Sequence, residues 1–254
     1  MSESTARDGG QTPPTVAGSD GTDGGMEVGE PKPRHDRPVP GILGELRYWL
    51  YFFSWILARS VFYVLFGLRL RGTSNVPKEG GLVIASNHQS FLDPIIVGIA
   101  LGPWRQMHYM ARDTLFVGPF GWLIRAYNAF PIRRGRADRG ALAEAEKRVG
   151  WGLPLLVFPE GTRSVDGKLQ RVKAGAARLA LNTGAAVVPC YIHGAHRAWG
   201  KGRKFFRPIR GMRVFLGEPI ESRNFKADRK GREELRVEMA KALARLEELA
   251  YSGS

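Results

Sequence analysis

The longest apolar stretch of the chain is residues 46–70, which read LRYWLYFFSWILARSVFYVLFGLRL. A helix that crosses a bilayer needs about 20 consecutive apolar residues, but Arg59 divides this stretch into Tyr48–Ala58 and Ser60–Leu68. An arginine at the bilayer centre costs about 2.5–3.5 kcal/mol on insertion scales. We therefore predict two helical pieces that lie in one leaflet, with Arg59 at the headgroups. A single tilted span and a buried core helix are the alternatives.

Beyond this stretch, short β-rich runs alternate with residues at helical spacing. The predicted strands are Gly81–Ser86, His108–Ala111, Leu153–Phe158, Met212–Leu216 and Ala185–Ile192, the last interrupted by Pro189. The predicted helices are Pro94–Ala100, Arg139–Val149, Lys173–Leu181 and Glu233–Ala250, the last with an apolar face that includes Leu249. This alternation predicts an α/β domain over residues 72–254, a mixed central sheet flanked by helices. Residues 41–71 precede it as a membrane-associated helical segment.

Charge is distributed unevenly along the chain. Lys and Arg number 38 against 24 Asp and Glu, so the formal net charge is +14. Residues 1–40 contain seven acidic and four basic residues and no Leu, Ile or aromatic residue, which predicts a disordered acidic tail. The strongly basic remainder predicts an anionic partner. The single cysteine, Cys190, excludes an internal disulfide framework and any zinc site that needs two cysteines.

A first polar cluster, Asn87-His88-Gln89-Ser90-Phe91-Leu92-Asp93, directly follows a predicted strand. His88 and Asp93 lie five steps of about 100° apart and cannot share a face of a regular helix. They can meet if the helix begins between them, and Ser90-x-x-Asp93 is a helix-start pattern with Ser90 as the cap. The carboxylate could then bind one imidazole nitrogen and leave the other to accept a hydroxyl proton. A capped helix with an incidental histidine is the equal alternative.

A second cluster, Phe158-Pro159-Glu160-Gly161-Thr162-Arg163-Ser164, follows an apolar strand. Its polar residues therefore lie at the carboxyl end of that strand, where ligands of open α/β sheets bind. Arg163 suits a phosphate group, and Gly161 permits close approach of the backbone. The alternative is a strand-exit turn with a solvated ion pair.

Together, the two clusters resemble the glycerolipid acyltransferases of the lysophosphatidate (1-acylglycerol-3-phosphate) acyltransferase type. Two weaker motifs of that family match Phe130–Arg134 and Val187–Cys190, and Lys173 with Gly175 resembles its Lys-x-Gly. Arg133 is a departure, because many members carry Asp there. The resemblance extends from about Gly72 to Gly217.

The resemblance implies transfer of a fatty acyl chain from acyl-CoA or acyl carrier protein to the free hydroxyl of 1-acylglycerol 3-phosphate. The product would be phosphatidate, in phospholipid synthesis. His88 and Asp93 would be catalytic, with His88 as the general base. The substrate-binding residues would be Arg134, Glu160, Gly161, Thr162 and Arg163, and the supporting residues Asn87, Ser90 and Lys173. No cofactor or metal is expected, and Cys190, within an apolar strand, is expected to be a buried hydrophobe.

Residues 196–210 (HRAWGKGRKFFRPIR) combine cations with Trp199, Phe205 and Phe206. This pattern suits anionic headgroups or single-stranded nucleic acid, and a solvated loop is the alternative. Because residues 46–70 favour a membrane, we expect an anionic membrane surface and no nucleic acid as partner, at the cytoplasmic face of the inner (cell) membrane. The alternative functions are acylation of glycerol 3-phosphate or another lysophospholipid, and non-catalytic binding to membranes.

Overall fold

The computed structural model describes residues 42–133 and 138–252 of the chain. The tail predicted over residues 1–40 lies outside the described residues. Within them, seven strands form one sheet: β1 (Arg69–Arg71), β2 (Leu82–Ser86), β3 (His108–Arg112), β4 (Ala129–Ile132), β5 (Pro154–Val157), β6 (Ala186–His193) and β7 (Arg213–Leu216). The helices are α1 (Ile42–Phe66), α2 (Asp93–Leu101), α3 (Gly118–Ala126), α4 (Arg139–Gly150), α5 (Gly175–Thr183), α6 (Ala195–Trp199) and α7 (Arg229–Ser252).

The strand order is β1-β7-β6-β2-β5-β3-β4, and every neighbouring pair is parallel except β6 and β7. The predicted mixed sheet flanked by helices is confirmed. All five residues of the central strand β2 are buried. Its side chains alternate between the two faces of the sheet. Leu82 and Ile84 pack with residues of α1 and α2, whereas Val83 and Ala85 pack with residues of α4, α5 and α7.

The predicted strands and helices of the α/β region are present with small shifts of their ends, and β1, α3, β4 and α6 were not predicted. The interruption predicted at Pro189 is wrong, because β6 continues through it. The Pro189 carbonyl accepts a hydrogen bond of 2.9 Å from the Gly217 amide, just beyond the end of β7. The proline therefore lies where the neighbouring strand ends, and the sheet tolerates its missing N–H there. Leu249 was also misassigned, because it is 56% exposed on α7.

Helix α1 corrects the prediction of two helical pieces. It is one unbroken helix of 25 residues, and Arg59 lies inside it. Arginine is a good helix former, and the Arg59 guanidinium lies 5.4 Å from the centroid of the Trp55 ring one turn earlier. The segment Tyr48–Phe66 is long and apolar enough to cross a membrane, and 11% of it is buried. Phe62 and Phe66, near the end of α1, pack into the core beside the sheet.

Candidate active site

The first polar cluster connects β2 to α2 at the carboxyl edge of the sheet. Asn87 continues the pairing between β2 and β6 with its side chain. Its Nδ2 donates to the Ile192 carbonyl at 3.0 Å, and its Oδ1 accepts from the Ile192 amide at 2.7 Å. The residue predicted to support the site therefore joins two neighbouring strands where they end.

His88 and Asp93 meet as the helix-start pattern predicts. Helix α2 begins at Asp93, and His88 Nδ1 lies 2.8 Å from Asp93 Oδ2. A carboxylate can only accept at this contact, so Nδ1 carries the proton and Nε2 is left as an acceptor. The His88 ring also stacks on Phe158, with centroids 3.8 Å apart and 13° between the planes. The imidazole is thus oriented by a hydrogen bond at its edge and a ring against its face.

Asp93 is fully buried and uses one oxygen for three donors. Oδ2 accepts from His88 Nδ1 and, at 2.7 Å each, from the amides of Gln89 and Ser90. Burial raises the pKa of Asp93, and the hydrogen bonds from His88 and from these amides act in the opposite direction. Asp93 Oδ2 therefore accepts hydrogen bonds from three donors that are held in place around it.

Ser90 is not the cap of α2, which is a correction. The residue before the first helical turn is Leu92, and Asp93 reaches back from the first turn to the Gln89 and Ser90 amides. The Ser90 hydroxyl instead accepts from the Leu92 amide at 3.1 Å and donates to the Trp199 carbonyl at 2.9 Å. The Ser90 side chain therefore connects the loop to α6 and does not accept a hydrogen bond from an amide of the first turn of α2.

The second polar cluster packs directly on the backbone of His88. Glu160 Oε1 accepts from the His88 amide at 2.9 Å, and the Ser164 amide donates to the His88 carbonyl at 2.7 Å. Phe158, from the same cluster, supplies the ring under the imidazole. The strand order explains this meeting, because β2 and β5 are parallel neighbours and both clusters leave the same edge of the sheet.

Glu160 is a second buried carboxyl beside the His88–Asp93 pair. Burial raises the pKa of Glu160 to about 7, against the lowering effect of the hydrogen bond from the His88 amide. Its Oε2 is buried and forms no hydrogen bond with the part of the chain that the structure describes. One oxygen thus positions the His88 backbone, while the other is a buried acceptor without a partner among the described residues.

Gly161, Thr162 and Lys173 form the outer part of this loop. Gly161 has a φ of +76°, in the left-handed region that favours glycine, and a Cβ there would lie 2.8 Å from Lys173 Nζ. The Lys173 amide donates to the Pro159 carbonyl at 3.0 Å, so the ammonium group is held near the turn. Thr162 is exposed. The roles predicted for these three residues remain predictions.

Of the two arginines predicted to meet a phosphate, the structure describes one. The Arg163 guanidinium lies over the Phe91 ring, 3.5 Å from its centroid. Phe91 belongs to the first cluster and is 50% exposed. Arg163 is therefore brought against the loop that carries His88. Arg134 lies outside the described residues.

Two residues that organise the site were not predicted. Gln89 bonds the Ile192 carbonyl through Nε2 and accepts from the His196 amide at 3.0 Å through Oε1. It therefore links the first cluster to β6 and α6. Phe158 stacks on His88. Both belong to the quoted motifs, so their positions were visible in the sequence, but their partners lie on strands whose order the sequence does not specify.

The remaining candidate features of the sequence are Cys190, a possible metal site and the basic segment 196–210. Cys190 is buried, and burial raises the pKa of its thiol to about 12, which agrees with the predicted buried hydrophobe. Among the described residues, no cluster of three or more His, Cys, Asp and Glu side chains could hold a metal ion. In residues 196–210, Phe205 and Phe206 are 81% and 53% exposed, and the predicted membrane contact there stays a prediction.

Comparisons with known proteins match this geometry. A family model described as Acyltransferase matches residues 67–193, which include both polar clusters. The crystal structure of the 1-acyl-sn-glycerophosphate (LPA) acyltransferase PlsC from Thermotoga maritima superposes with a TM-score of 0.69 at 28% sequence identity, covering 81% of each chain.

Sequence relatives carry similar names. A 1-acyl-sn-glycerol-3-phosphate acyltransferase of Bacillus subtilis is 30% identical over 161 residues, which cover 63% of this chain and 76% of the relative. The chloroplastic 1-acyl-sn-glycerol-3-phosphate acyltransferase LPAT1 of Arabidopsis thaliana is 31% identical over 174 residues, or 67% of this chain. The chain spans about half the length of that plant protein, with 48% of it covered.

Proposed function

Because the chain belongs to the Acyltransferase family, we propose that it transfers a fatty acyl chain from a thioester to the free hydroxyl of 1-acylglycerol 3-phosphate, giving phosphatidate for phospholipid synthesis. The strongest support for the proposal is the contact between His88 and Asp93. His88 Nδ1 is bonded to Asp93 Oδ2 at 2.8 Å, which leaves Nε2 as a base. A protein that only binds membranes has no use for an oriented base.

The proposed reaction needs no covalent intermediate on the protein. Nε2 of His88 takes the proton of the acceptor hydroxyl while the oxygen attacks the thioester carbonyl carbon. The carbon–sulfur bond then breaks, the sulfur leaves with its electron pair, and the imidazolium returns the proton to it. Asp93 keeps the imidazole in the tautomer with Nδ1 protonated and stabilises its charged form. Glu160 and Ser164 hold the backbone on either side of this ring.

The acceptor is proposed to bind at the second cluster. Arg163 and Arg134 hold its phosphate, since a guanidinium forms paired hydrogen bonds to phosphate oxygens. The unpaired Oε2 of Glu160 accepts from a glycerol hydroxyl. Gly161 and Thr162 line the turn between these groups, and Lys173 lies against that turn.

The donor is proposed to be acyl-CoA or acyl carrier protein, and the site to work at the cytoplasmic face of the inner membrane. The acceptor and product are amphiphiles that reside in a bilayer. Helix α1 supports attachment to a membrane, because most of its exposed side chains are apolar, with Phe53 61% and Leu57 65% exposed. An anionic surface also suits the positive charge of the chain.

Release of free thiol from acyl-CoA, measured with and without 1-acylglycerol 3-phosphate, tests the function. We expect release only with acceptor, and His88→Ala to lower turnover by about 10²–10⁴-fold, the usual contribution of a general base. Glu248→Gln, at an exposed residue of α7 far along the chain from both polar clusters, is the control. A folded His88→Ala variant with near-normal turnover would refute the mechanism. Preference for glycerol 3-phosphate in the same assay would reassign the acceptor.

A further inference from the structure

A cavity of about 1010 Å³ lies beside the candidate active site. It is bounded by the end of α1, the first residues of β1 and β7, and the turn from β6 into α6. Its walls carry four guanidinium groups and two imidazoles, from Arg69, Arg197, Arg210, Arg213, His193 and His196. None of these six side chains belongs to the site described above, which involves only the backbone amide of His196.

The cavity is strongly positive. Among the described residues, Asp166 is the one carboxylate on its wall, so the formal charge of the wall is +3 with both histidines neutral. Asp166 is already engaged by the Ser164 hydroxyl at 2.8 Å and the Lys168 amide at 3.1 Å. Within the described residues, neither Arg197 nor Arg210 forms an ion pair within 4 Å. Like charges gathered in a concave site repel one another and favour an anionic ligand.

The field of these arginines acts on a neighbouring group. Burial lowers the pKa of His193, and Arg213 and Arg197 lower it further. The Arg197 guanidinium lies close to the end of β6, with its Nη2 3.7 Å from the position that a Cβ on Gly194 would occupy.

The cavity also adjoins the reacting groups. Gln89, which follows His88 in the chain, forms part of its wall, and the Gln89 Oε1 accepts from the His196 amide at 3.0 Å. Strands β2 and β6, which lead to His88 and His193, are parallel neighbours. Arg163, proposed for the acceptor phosphate, does not line the cavity. The chain therefore has a second basic site at the same edge of the sheet, on the other side of His88.

We propose that this cavity binds the phosphorylated nucleotide end of an acyl-CoA donor, an inference that rests on the proposed function. A diphosphate and a phosphomonoester together carry about four negative charges at neutral pH, which match four arginines. The prosthetic group of an acyl carrier protein, like most phospholipid headgroups, presents a single phosphodiester and leaves most of these cations unused. The volume also suits a ligand of this size, since small-molecule pockets span about 300–1,000 Å³.

Variants of the full chain test this assignment in two assays. The double variant Arg197→Gln/Arg210→Gln is compared with Arg207→Gln, an exposed arginine of the same segment that does not line the cavity. In steady-state kinetics we expect the KM for acyl-CoA to rise about tenfold or more, with the KM for 1-acylglycerol 3-phosphate and the turnover at saturating donor unchanged. In calorimetry, free CoA should bind the wild type more tightly than phosphopantetheine does, and the double variant should lose that difference.

Two results would overturn the assignment. A double variant that transfers acyl groups with an unchanged KM for acyl-CoA would leave the proposed function intact and exclude this donor site. Weaker flotation with anionic vesicles, at an unchanged KM for acyl-CoA, would assign the cavity to a lipid headgroup instead. A wild type that transfers no acyl group would refute the proposed function, whereas the binding of free CoA, measured without turnover, tests the cavity separately.

Discussion

At the scale of single residues, the candidate site depends on two buried carboxyls with different tasks. Asp93 gathers the His88 imidazole and two amides on one oxygen. Glu160 accepts from the His88 amide and keeps its other oxygen without a partner among the described residues. Asp93 therefore orients the side chain of His88, and Glu160 orients its backbone.

Asp93→Asn should lower turnover by about 10–10³-fold, less than His88→Ala. An asparagine has one acceptor oxygen, and if that oxygen keeps the Gln89 and Ser90 amides, its NH₂ group faces Nδ1 and favours the tautomer with Nε2 protonated. The base is then present in the wrong tautomer. Turnover of the purified variant measures the loss, with Glu248→Gln, an exposed carboxyl elsewhere, as the control. Wild-type turnover in Asp93→Asn would contradict the assignment.

Glu160→Gln should change how stability depends on pH. Burial raises the folded-state pKa of Glu160 to about 7 from 4.5, so the folded state binds a proton that the unfolded state releases. The stability from this group is present below the unfolded-state pKa and is lost as pH rises through about 7. Glutamine can keep the bond to the His88 amide without this loss. From pH 5 to pH 8, the Tm of the variant should therefore rise relative to wild type, by the equivalent of about 2.5 kcal/mol in the free energy of unfolding. A constant difference between the two Tm values would contradict the shifted pKa.

At the scale of elements, α1 shows why a charged residue is a poor guide to where a helix ends. The prediction placed a break at Arg59, whereas the helix continues through it from Ile42 to Phe66. Helix formation depends on backbone hydrogen bonds, which an arginine side chain leaves intact. The exposure of its apolar side, in contrast, is a property of how α1 packs on the domain.

Replacing exposed apolar residues of α1 should weaken membrane binding without unfolding the chain. Phe53 and Leu57 are 61% and 65% exposed, so Phe53→Gln/Leu57→Gln removes apolar surface that the core does not use. We expect weaker flotation with anionic vesicles and an unchanged Tm. The control is Val165→Gln, because Val165 is 71% exposed on a different loop. Equal flotation of the double variant and wild type would place the attachment elsewhere, with residues 196–210 as the next candidate.

At the scale of the whole molecule, α1 is joined to the sheet through β1, which pairs with β7 at the sheet edge. Gly72 ends this connection with a φ of +73°, and a Cβ there would lie 2.0 Å from the Leu216 carbonyl oxygen. The contact is with backbone, so a larger residue would have to separate β1 from β7. Glycine at this position therefore allows the chain to lie directly against the end of β7.

Gly72→Ala should destabilise the chain more than Gly80→Ala does. Both glycines have φ in the left-handed region, at +73° and +82°, but nothing lies within 4 Å of a Cβ on Gly80. Gly80→Ala should therefore lower the free energy of unfolding only by the cost of placing an alanine in the left-handed region, roughly 1–2 kcal/mol. Gly72→Ala should lower it by the same cost and, in addition, by the cost of the clash with Leu216. Denaturant unfolding of both variants measures the difference. Equal losses would show that β1 and β7 separate at little cost.

The order and type of most elements, and the residues that could carry chemistry, followed from the sequence alone. Apolar periodicity and turn residues act locally, so Leu82–Ser86, α2 and β5 were predictable, as was the meeting of His88 with Asp93 five residues away. Contacts between distant segments did not follow. That Glu160 and Ser164 bind the His88 backbone depends on β2 lying beside β5, and the arginine-lined cavity depends on β6 lying on the other side of β2. Strand order results from how all the elements pack together, and no local pattern in the chain specifies it.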